Sequence, residues 1–379
     1  MKILHTSDWH LGRQLYNVSL LEDQRHVLMQ IVEIARTRGV DVVLVAGDIY
    51  DRSVPAADAV ALLDDIIHAF AELGIALVMI AGNHDGPERL AFAGRLLARL
   101  GVHITGPLLP TPEPVVLQDA HGPVAFHALP YADPPTVRAV LGVDVQGHEQ
   151  AMQALVANLR ERQPPRCRSV VVAHCFLDGY AASESERPLA VGGVQTVSAA
   201  CFEGFDYVAL GHLHGPQARG AAHLRYSGSI LKYSFSEEKQ RKSITLVDLD
   251  GDGRCTVEQV DLTPLRDVRT VEGLLADILA AGKQDSQRED YIQARLLDER
   301  AILDPMGKLR AVYPNALHIE MVALNRTGDG HGPSRDALAR GEMPLFRDFW
   351  RAVTDEELDD DDARIVAGML ERIHAGGES

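Results

Sequence analysis

The sequence predicts an α/β fold built on buried, largely parallel strands, and three observations carry that expectation. First, five short and mostly apolar runs occur without polar alternation, at residues 3–7, 42–46, 77–81, 170–173 and 207–210. Runs of this kind, rich in β-branched residues, read as strands buried on both faces of a sheet. Second, segments of helical spacing separate the first three, and a β-α-β-α-β rhythm argues for a parallel core. Third, each run breaks off into metal-binding residue types. The endings are Asp8-Trp9-His10, Gly47-Asp48-Ile49-Tyr50-Asp51, Gly82-Asn83-His84-Asp85, His174, and Gly211-His212-Leu213-His214. Ligands of open α/β sheets collect outside the carboxyl ends of the strands. The repeated order therefore aims five loops at one site.

The elements follow in order. Residues 20–37 carry helical apolar spacing through Leu21, Val27, Leu28, Ile31, Val32 and Ile34, and Gly39 ends the helix. Pro55, suited to a first turn, opens a second helix that runs through Leu62, Ile66, Ile67 and Phe70 towards Gly74. The loop at residues 82–85 leads into a third helix over residues 88–100. Residues 105–135 are Pro-rich, with short strands expected at 115–117 and 124–129. A helix over residues 149–162 leads to the fourth metal-bearing strand. Residues 181–187, polar and followed by Gly192-Gly193, read as a solvated surface loop or as the wall of a substrate channel. Strands are expected at 224–226, 243–249 and 255–260, and Asp250-Gly251-Asp252-Gly253 is a hairpin signal. It is too short for a calcium-binding EF-hand loop. A boundary falls near residues 262–269. Beyond it, a helix at 271–281, a strand at 291–297, a helix at 305–313 and a strand at 317–324 make a small α+β unit.

Residues 325–340, rich in Gly, Asp and Arg, read as a flexible linker. Phe346, Phe349 and Trp350 then fall on one helical face, and Ile365, Met369 and Leu370 form the stripe of a second helix. The run Asp359-Asp360-Asp361-Asp362 suits the positive N-terminal end of that helix. An appendage too small for its own core is expected to bury this face on a partner.

Aspartate, asparagine and histidine supply hard oxygen and borderline nitrogen ligands, which suit manganese, iron or zinc. Asp48 can bridge two cations while imidazoles and the Asn83 amide oxygen fill the outer positions. Two adjacent metals stabilise both the attacking and the leaving oxygen in phosphoryl hydrolysis. His84, directly after a candidate ligand, is placed to act as an acid or charge stabiliser instead. Taken singly, any one of these histidines is more often structural. The ordered set is what points to metal. His5, His26, His68, His103, His121, His127 and His148 lack that context and are expected to be ordinary.

At 379 residues, 46% hydrophobic and 24% charged, the chain is globular material with room for one main domain and smaller ones. No run approaches transmembrane length, and the start enters a strand without a signal peptide, so the cytoplasm is expected. Four cysteines without paired spacing argue against a disulfide framework or a zinc knuckle. A net charge of −17 argues against tight duplex binding by this chain alone, because phosphate contacts need Lys and Arg.

The ordered motifs Asp8-x-His10, Gly47-Asp48-x-x-Asp51, Gly82-Asn83-His84-Asp85, His174 and Gly211-His212-x-His214 resemble those of the calcineurin-like metallophosphoesterases. The likeness narrows to SbcD-type nuclease subunits through residues 5–12 and 207–214. Tyr226-Ser227-Gly228-Ser229 and Ser234-Phe235-Ser236-Glu237 extend it. Beyond residue 237 the similarity is one of layout. The resemblance implies a two-sheet sandwich with helices outside over residues 1–265, followed by a small α+β cap at 266–325 that orients DNA. A linker at 326–340 and a helical tail at 341–379, which grips the coiled-coil base of an SbcC-type ATPase, complete the layout. It implies a metal-dependent DNA phosphodiesterase of repair, recombination and replication, acting on duplex ends, hairpins and single strands. The expected assembly is a homodimer within a heterotetramer. Asp8, His10, Asp48 and His214 would surround one ion, preferably Mn²⁺, and Asp48, Asn83, His174 and His212 the other. His84 would protonate the departing oxygen, and Asp51 and Asp85 would orient imidazoles or cap helices. Two rival functions remain on the residues alone. One is a phosphoesterase for a nucleotide or phosphoprotein. The other is a scaffold with a structural metal.

Overall fold

The five apolar runs form the strands Lys2–Thr6, Val42–Val45, Ala76–Ile80, Arg168–His174 and Tyr207–Gly211, and they divide between two six-stranded sheets. This architecture is that of a computed structural model describing residues 1–186, 189, 195–218, 221–322, 342–354 and 356–376. In the first sheet, Lys2–Thr6, Val42–Val45, Ala76–Ile80 and Val102–Thr105 run parallel. The hairpin Ser243–Leu249 with Cys255–Asp261 extends it on the antiparallel side of Lys2–Thr6. In the second sheet, Leu224–Tyr226, Tyr207–Gly211, Arg168–His174 and Gly122–Leu129 are parallel. Gln217–Ala218 and Val115–Asp119 close its edges antiparallel.

Packing explains why the runs do not alternate. Ile3, Val42, Leu44, Val78 and Ile80 of one sheet meet Phe126, Val170, Val172, Tyr207 and Ala209 of the other, all fully buried. The opposite faces are covered as well. Val171, Ala173, Val208 and Leu210 pack on Ala151, Leu155, Val156 and Leu159 of the helix Gly147–Glu161. The helices Leu21–Arg38 and Ala57–Glu72 pack against each other, and the latter against Ala76–Ile80. Each such Val or Leu contributes roughly 1.5–3 kcal/mol by leaving water. The two-sheet sandwich with outer helices is the fold expected.

Two helices depart from expectation. The one expected over residues 88–100 is broken into Pro87–Leu90, Gly94–Leu97 and a 3-10 turn Ala98–Leu100, with Ala93 left-handed at φ 60°. A helix needs a buried apolar face to repay its ordering, and here Leu90 alone is buried while Phe92 and Leu100 are exposed. The helix expected over 271–281 starts later, as Leu275–Gly282, because Val268–Gly273 is instead an edge strand beside Tyr291–Leu296. Sheet pairing overrides local helical spacing there. The Asp250 turn forms as expected, its carboxylate accepting from the backbone N–H of Asp252 and Arg254 at 2.9 Å each.

The chain divides into two compact units, Met1–Val268 and Arg269–Ser379. The second has its own core of Leu275, Ile278, Ile292, Leu296, Leu309 and Tyr313 under a three-stranded sheet. Its last elements are the helices Glu342–Thr354 and Asp360–Gly376. The rings of Phe346 and Trp350 lie 6.2 Å apart along the first. Ile365 and Met369 of the second are 56% and 51% exposed. The side chains of Phe349 and Leu370, and the linker at residues 326–340, lie outside the described residues.

Candidate metal centre

Three of the loops that follow the strands are held in costly backbone shapes. Asp8, His10 and Asp48 have φ of 52°, 45° and 50°, and His212 has 107°. Left-handed non-glycine residues cost of order 1–3 kcal/mol each and gather at functional sites. The loops hold one another in place. Asp8 N donates to the Gly47 carbonyl at 3.0 Å and His10 N to that of Asp48 at 2.9 Å. Gln24, buried on its helix, donates from Nε2 to the carbonyls of Trp9 at 3.0 Å and His10 at 2.7 Å.

All seven expected ligands meet at this point, with His84 beside them. Asp48 Oδ2 lies 3.7 Å from His10 Nε2 and 3.5 Å from His174 Nε2. Asn83 Oδ1 is 2.8 Å from His174 Nε2 and 3.2 Å from His212 Nδ1. Asp8 accepts from the His212 backbone N–H at 3.0 Å. His10 Nε2 and His214 Nε2 face each other at 3.1 Å. Donor atoms of Asp8, His10 and His214 lie within 4.8 Å of one another, as do those of His10, Asp48 and His84, and of Asp8, Asp48 and His174.

The glycines that precede the ligands exist to allow this crowding. A Cβ on Gly82 would lie 2.2 Å from Asp48 Oδ1, and one on Gly211 only 1.8 Å from the Ala46 carbonyl oxygen. Neither neighbour can move without breaking the sheet or the site. Gly211→Ala should therefore cost about 3 kcal/mol or more, read as a fall in denaturation midpoint. A variant that keeps wild-type stability would contradict this packing.

Burial and mutual charge set the electrostatics. Burial pushes the Asp8 carboxyl up to about 6 even though His174 and His214 oppose it. Burial also opposes ionisation of Asp48, but the neighbouring His174 and His10 outweigh it and hold Asp48 well below the carboxylate range. His174 is disfavoured as a cation by burial, yet Asp48 raises it to about 9. His212 goes the other way, down to about 3, through burial and the nearby His174. The buried carboxylates thus call for positive charge beside them. His10 and His214 turn their Nε2 atoms to one point, 3.1 Å apart. The residues fit divalent cations.

Two of the imidazoles, His174 and His214, are set from behind. His174 Nδ1 lies 2.9 Å from the Ala46 carbonyl, which leaves Nε2 for the site. Asp51 Oδ1 is 3.6 Å from His10 Nδ1, beyond hydrogen-bond reach, and accepts instead from Arg13 at 3.1 Å. Asp85 does something else. It accepts from the backbone N–H of Ile49, Tyr50 and Gly82 at 3.1, 2.8 and 2.8 Å, tying the Asp48 and Asn83 loops together. It neither orients an imidazole nor caps a helix. His84 is half-buried; its backbone N–H donates to Asp48 Oδ1 at 2.9 Å and its Nδ1 lies 2.9 Å from the Asp51 carbonyl. His5 is, as expected, an ordinary core residue, paired with Tyr207 and the Leu210 carbonyl, with burial driving its imidazole down to about 3.

Four residues at the site went without a role on sequence grounds. The polar loop at 181–187 is not simply solvated within its described part. Ser185 is buried with Oγ 2.6 Å from His214 Nδ1, and Glu186 Oε1 accepts from the His214 backbone N–H at 2.8 Å. Glu237 and Lys242 form a buried ion pair behind the same histidine. Burial opposes the Glu237 charge, but His214 and Lys242 hold its carboxyl well below the usual range. The Ser-Phe-Ser-Glu stretch was visible in the sequence; nothing local says that it folds against residue 214.

A family model for the calcineurin-like phosphoesterases matches residues 1–216, and one described as the type 5 capsule protein repressor C-terminal domain matches 264–354. The SbcD subunit of the SbcCD nuclease from Staphylococcus saprophyticus is 33% identical over 372 residues, covering 98% of both chains. Its namesake from Staphylococcus epidermidis is 33% identical over 360 residues, covering 94% of this chain and 95% of that one. Among solved structures, a dimetal phosphatase from Danio rerio is similar at 12% identity, with a TM-score of 0.41 over 70% of this chain and 98% of that one. With the phosphoesterase motifs in order at one site and a third of its residues shared over almost its whole length, the chain belongs to the SbcD family of SbcCD nuclease subunits, within the calcineurin-like phosphoesterases.

Proposed function

We propose that the protein is a metal-dependent DNA phosphodiesterase, the nuclease subunit of an SbcCD-type complex acting on duplex ends and hairpins. One observation carries the reading: two carboxylates, an amide oxygen and four imidazoles converge on a buried point, with a half-buried histidine beside them. Asp8, His10, Asp48 and His214 would hold one divalent ion, and Asp48, Asn83, His174 and His212 the second, with Mn²⁺ preferred. When bound, the two ions supply Lewis acidity to the phosphoryl group and make water ionisable near neutral pH. The protein's own residues do the rest. Asp48 ties the two halves together, and the Ala46 carbonyl and the groups behind His214 keep Nε2 of His174 and His214 turned to the substrate side. The Asp51 carbonyl keeps a proton on His84 Nδ1, so His84 delivers a proton from Nε2 as the imidazolium, to the departing oxygen.

Purified protein with Mn²⁺ should cut linear and hairpin duplexes, and a chelator should stop it. Hydrolysis of small phosphodiesters with no cleavage of any DNA, alone or with the partner ATPase, would turn the reading to the small-substrate alternative. The same reading assigns the α+β unit to DNA orientation, and the assembly to a homodimer within a heterotetramer in the cytoplasm. Among the described residues, no helix is long and apolar enough to cross a membrane.

The tail helices are assigned to an SbcC-type coiled-coil ATPase, through Phe346, Phe349 and Trp350. The half-buried rings of Phe346 and Trp350 and the exposed Ile365 and Met369 support this. Aromatic anchors carry roughly 2 kcal/mol or more each at interfaces. Deleting residues 341–379 should leave a folded enzyme active on a simple phosphodiester that no longer co-purifies with the ATPase. The Phe349→Ala, Trp350→Ala pair should reproduce most of that loss. Retained complex formation with a markedly lower melting temperature would make the tail part of the core instead.

A further inference from the structure

Behind His214 lies a chain of polar groups, described so far only as a support. Ser185 Oγ is 2.6 Å from His214 Nδ1 and also contacts Glu237 Oε1, which itself lies 3.3 Å from Nδ1. Glu237 is 0% exposed, and its other oxygen accepts from Nζ of the buried Lys242. Lys242 is pinned in turn, its three protons shared between Glu237 and three further acceptors: the His214 carbonyl and the Ser229 hydroxyl at 2.9 Å each, and Gln240 Oε1 at 2.7 Å.

Counting protons gives this chain a direction. An ionised carboxylate only accepts, and a serine has one proton to donate. The Ser185 proton therefore goes to Glu237, and Ser185 meets His214 with a lone pair. Ser183, 3.0 Å from Ser185, is within reach of Glu186 Oε2 at 2.7 Å for its own proton. His214 must then carry its proton on Nδ1, leaving the Nε2 lone pair that faces His10. His174 reaches the same state differently, because a backbone carbonyl sits behind its Nδ1 and no side-chain change can reverse that.

We propose that Glu237, held by Lys242, is a positioning residue that sets the tautomer of His214 and thereby the affinity of one of the two metal ions. The proposal rests on the ligand assignment made above. It makes the two ions unequal. The ion at Asp8, His10, Asp48 and His214 depends on a side-chain relay from distant loops. The ion that Asp48, Asn83, His174 and His212 would hold has a histidine set by backbone.

Glu237→Gln is the test, because it keeps the shape and reverses the relay. Lys242 still claims the oxygen, so the amide NH₂ turns to Ser185 and His214. The Ser185 proton is pushed onto the Nδ1 side, and the His214 proton moves to Nε2, where it blocks the ion. Long-range ¹⁵N–¹H correlation on the metal-free full chain, assigned against His214→Ala, should show an Nδ1–H tautomer in wild type and Nε2–H in Glu237→Gln. Mn²⁺ titration by calorimetry should show one of two sites weakened roughly 10- to 100-fold, the range seen when groups behind a ligand are lost. The other site should keep its affinity. Ser185→Ala, which leaves the 3.3 Å contact between Glu237 and Nδ1, should weaken the same site less.

Two sites of wild-type affinity in a folded Glu237→Gln with an unchanged tautomer would overturn the proposal, as would equal weakening of both. His214→Ala tests the ligand assignment separately. If it keeps two metal equivalents, that assignment fails. If it loses one while Glu237→Gln loses nothing, the positioning role alone fails. Should Glu237→Gln not fold, the charge-matched pair Glu237→Gln, Lys242→Met is read in the same way. A mixed tautomer and one weakened site are expected, and two intact sites overturn the idea.

Discussion

Replacing Asp48 with alanine should abolish hydrolysis and empty both metal sites together. The reason is geometric. Asp48 is buried, and its Oδ2 stands 3.7 Å from His10 Nε2 and 3.5 Å from His174 Nε2, between ligands assigned to different ions. Its Oδ1 also accepts from the His84 backbone N–H, so the same carboxylate fixes the residue assigned as acid. Removing it takes away the negative charge beside His10 and His174 that would hold a cation between them. Asp48→Asn keeps the shape and should still lose most metal, because the charge does the binding. Elemental analysis is the check. Two full metal equivalents in an active Asp48→Ala protein would end the bridging assignment.

His84→Ala should lose a factor of roughly 10²–10⁴ in turnover, the range for a removed general acid, while metal content and DNA binding change little. His84 is half-buried at the mouth of the site, with its ring 4.7 Å from that of His10 and its Nδ1 beside the Asp51 carbonyl. A substrate with an activated leaving group, which needs no proton, should recover most of the lost rate in the variant. The measurement that decides is metal stoichiometry beside rate. His84 also has a donor atom within 4.8 Å of those of His10 and Asp48. A clear drop in bound metal would make it a ligand and require a different coordination scheme.

Most of the strand core was legible in the sequence because burial on both faces writes itself as an unbroken apolar run. Val42–Val45 and residues 170–173 are examples, with every residue buried. The helix expected over 88–100 was not, since its apolar spacing is real but buries Leu90 alone, leaving Phe92 and Leu100 exposed. Val268–Gly273 carries spacing that serves either a helix or an edge strand, and its partner Tyr291–Leu296 decides.

The same division runs through the site. By itself the sequence determined the candidate ligand types, their order and the glycines beside them, because each strand end is a local event. A glycine, then a donor, at the end of a buried run needs no tertiary knowledge to notice. Only the tertiary structure decided what stands behind those donors. Asp85 ties two loops through three backbone N–H groups rather than touching an imidazole. Ser185, Glu186, Glu237 and Lys242 converge on His214 from positions up to 57 residues apart. Hydrogen-bond partners of that kind are fixed by where loops cross in space. Serine, glutamate and lysine in a polar stretch look the same in solvent as they do folded against a buried histidine.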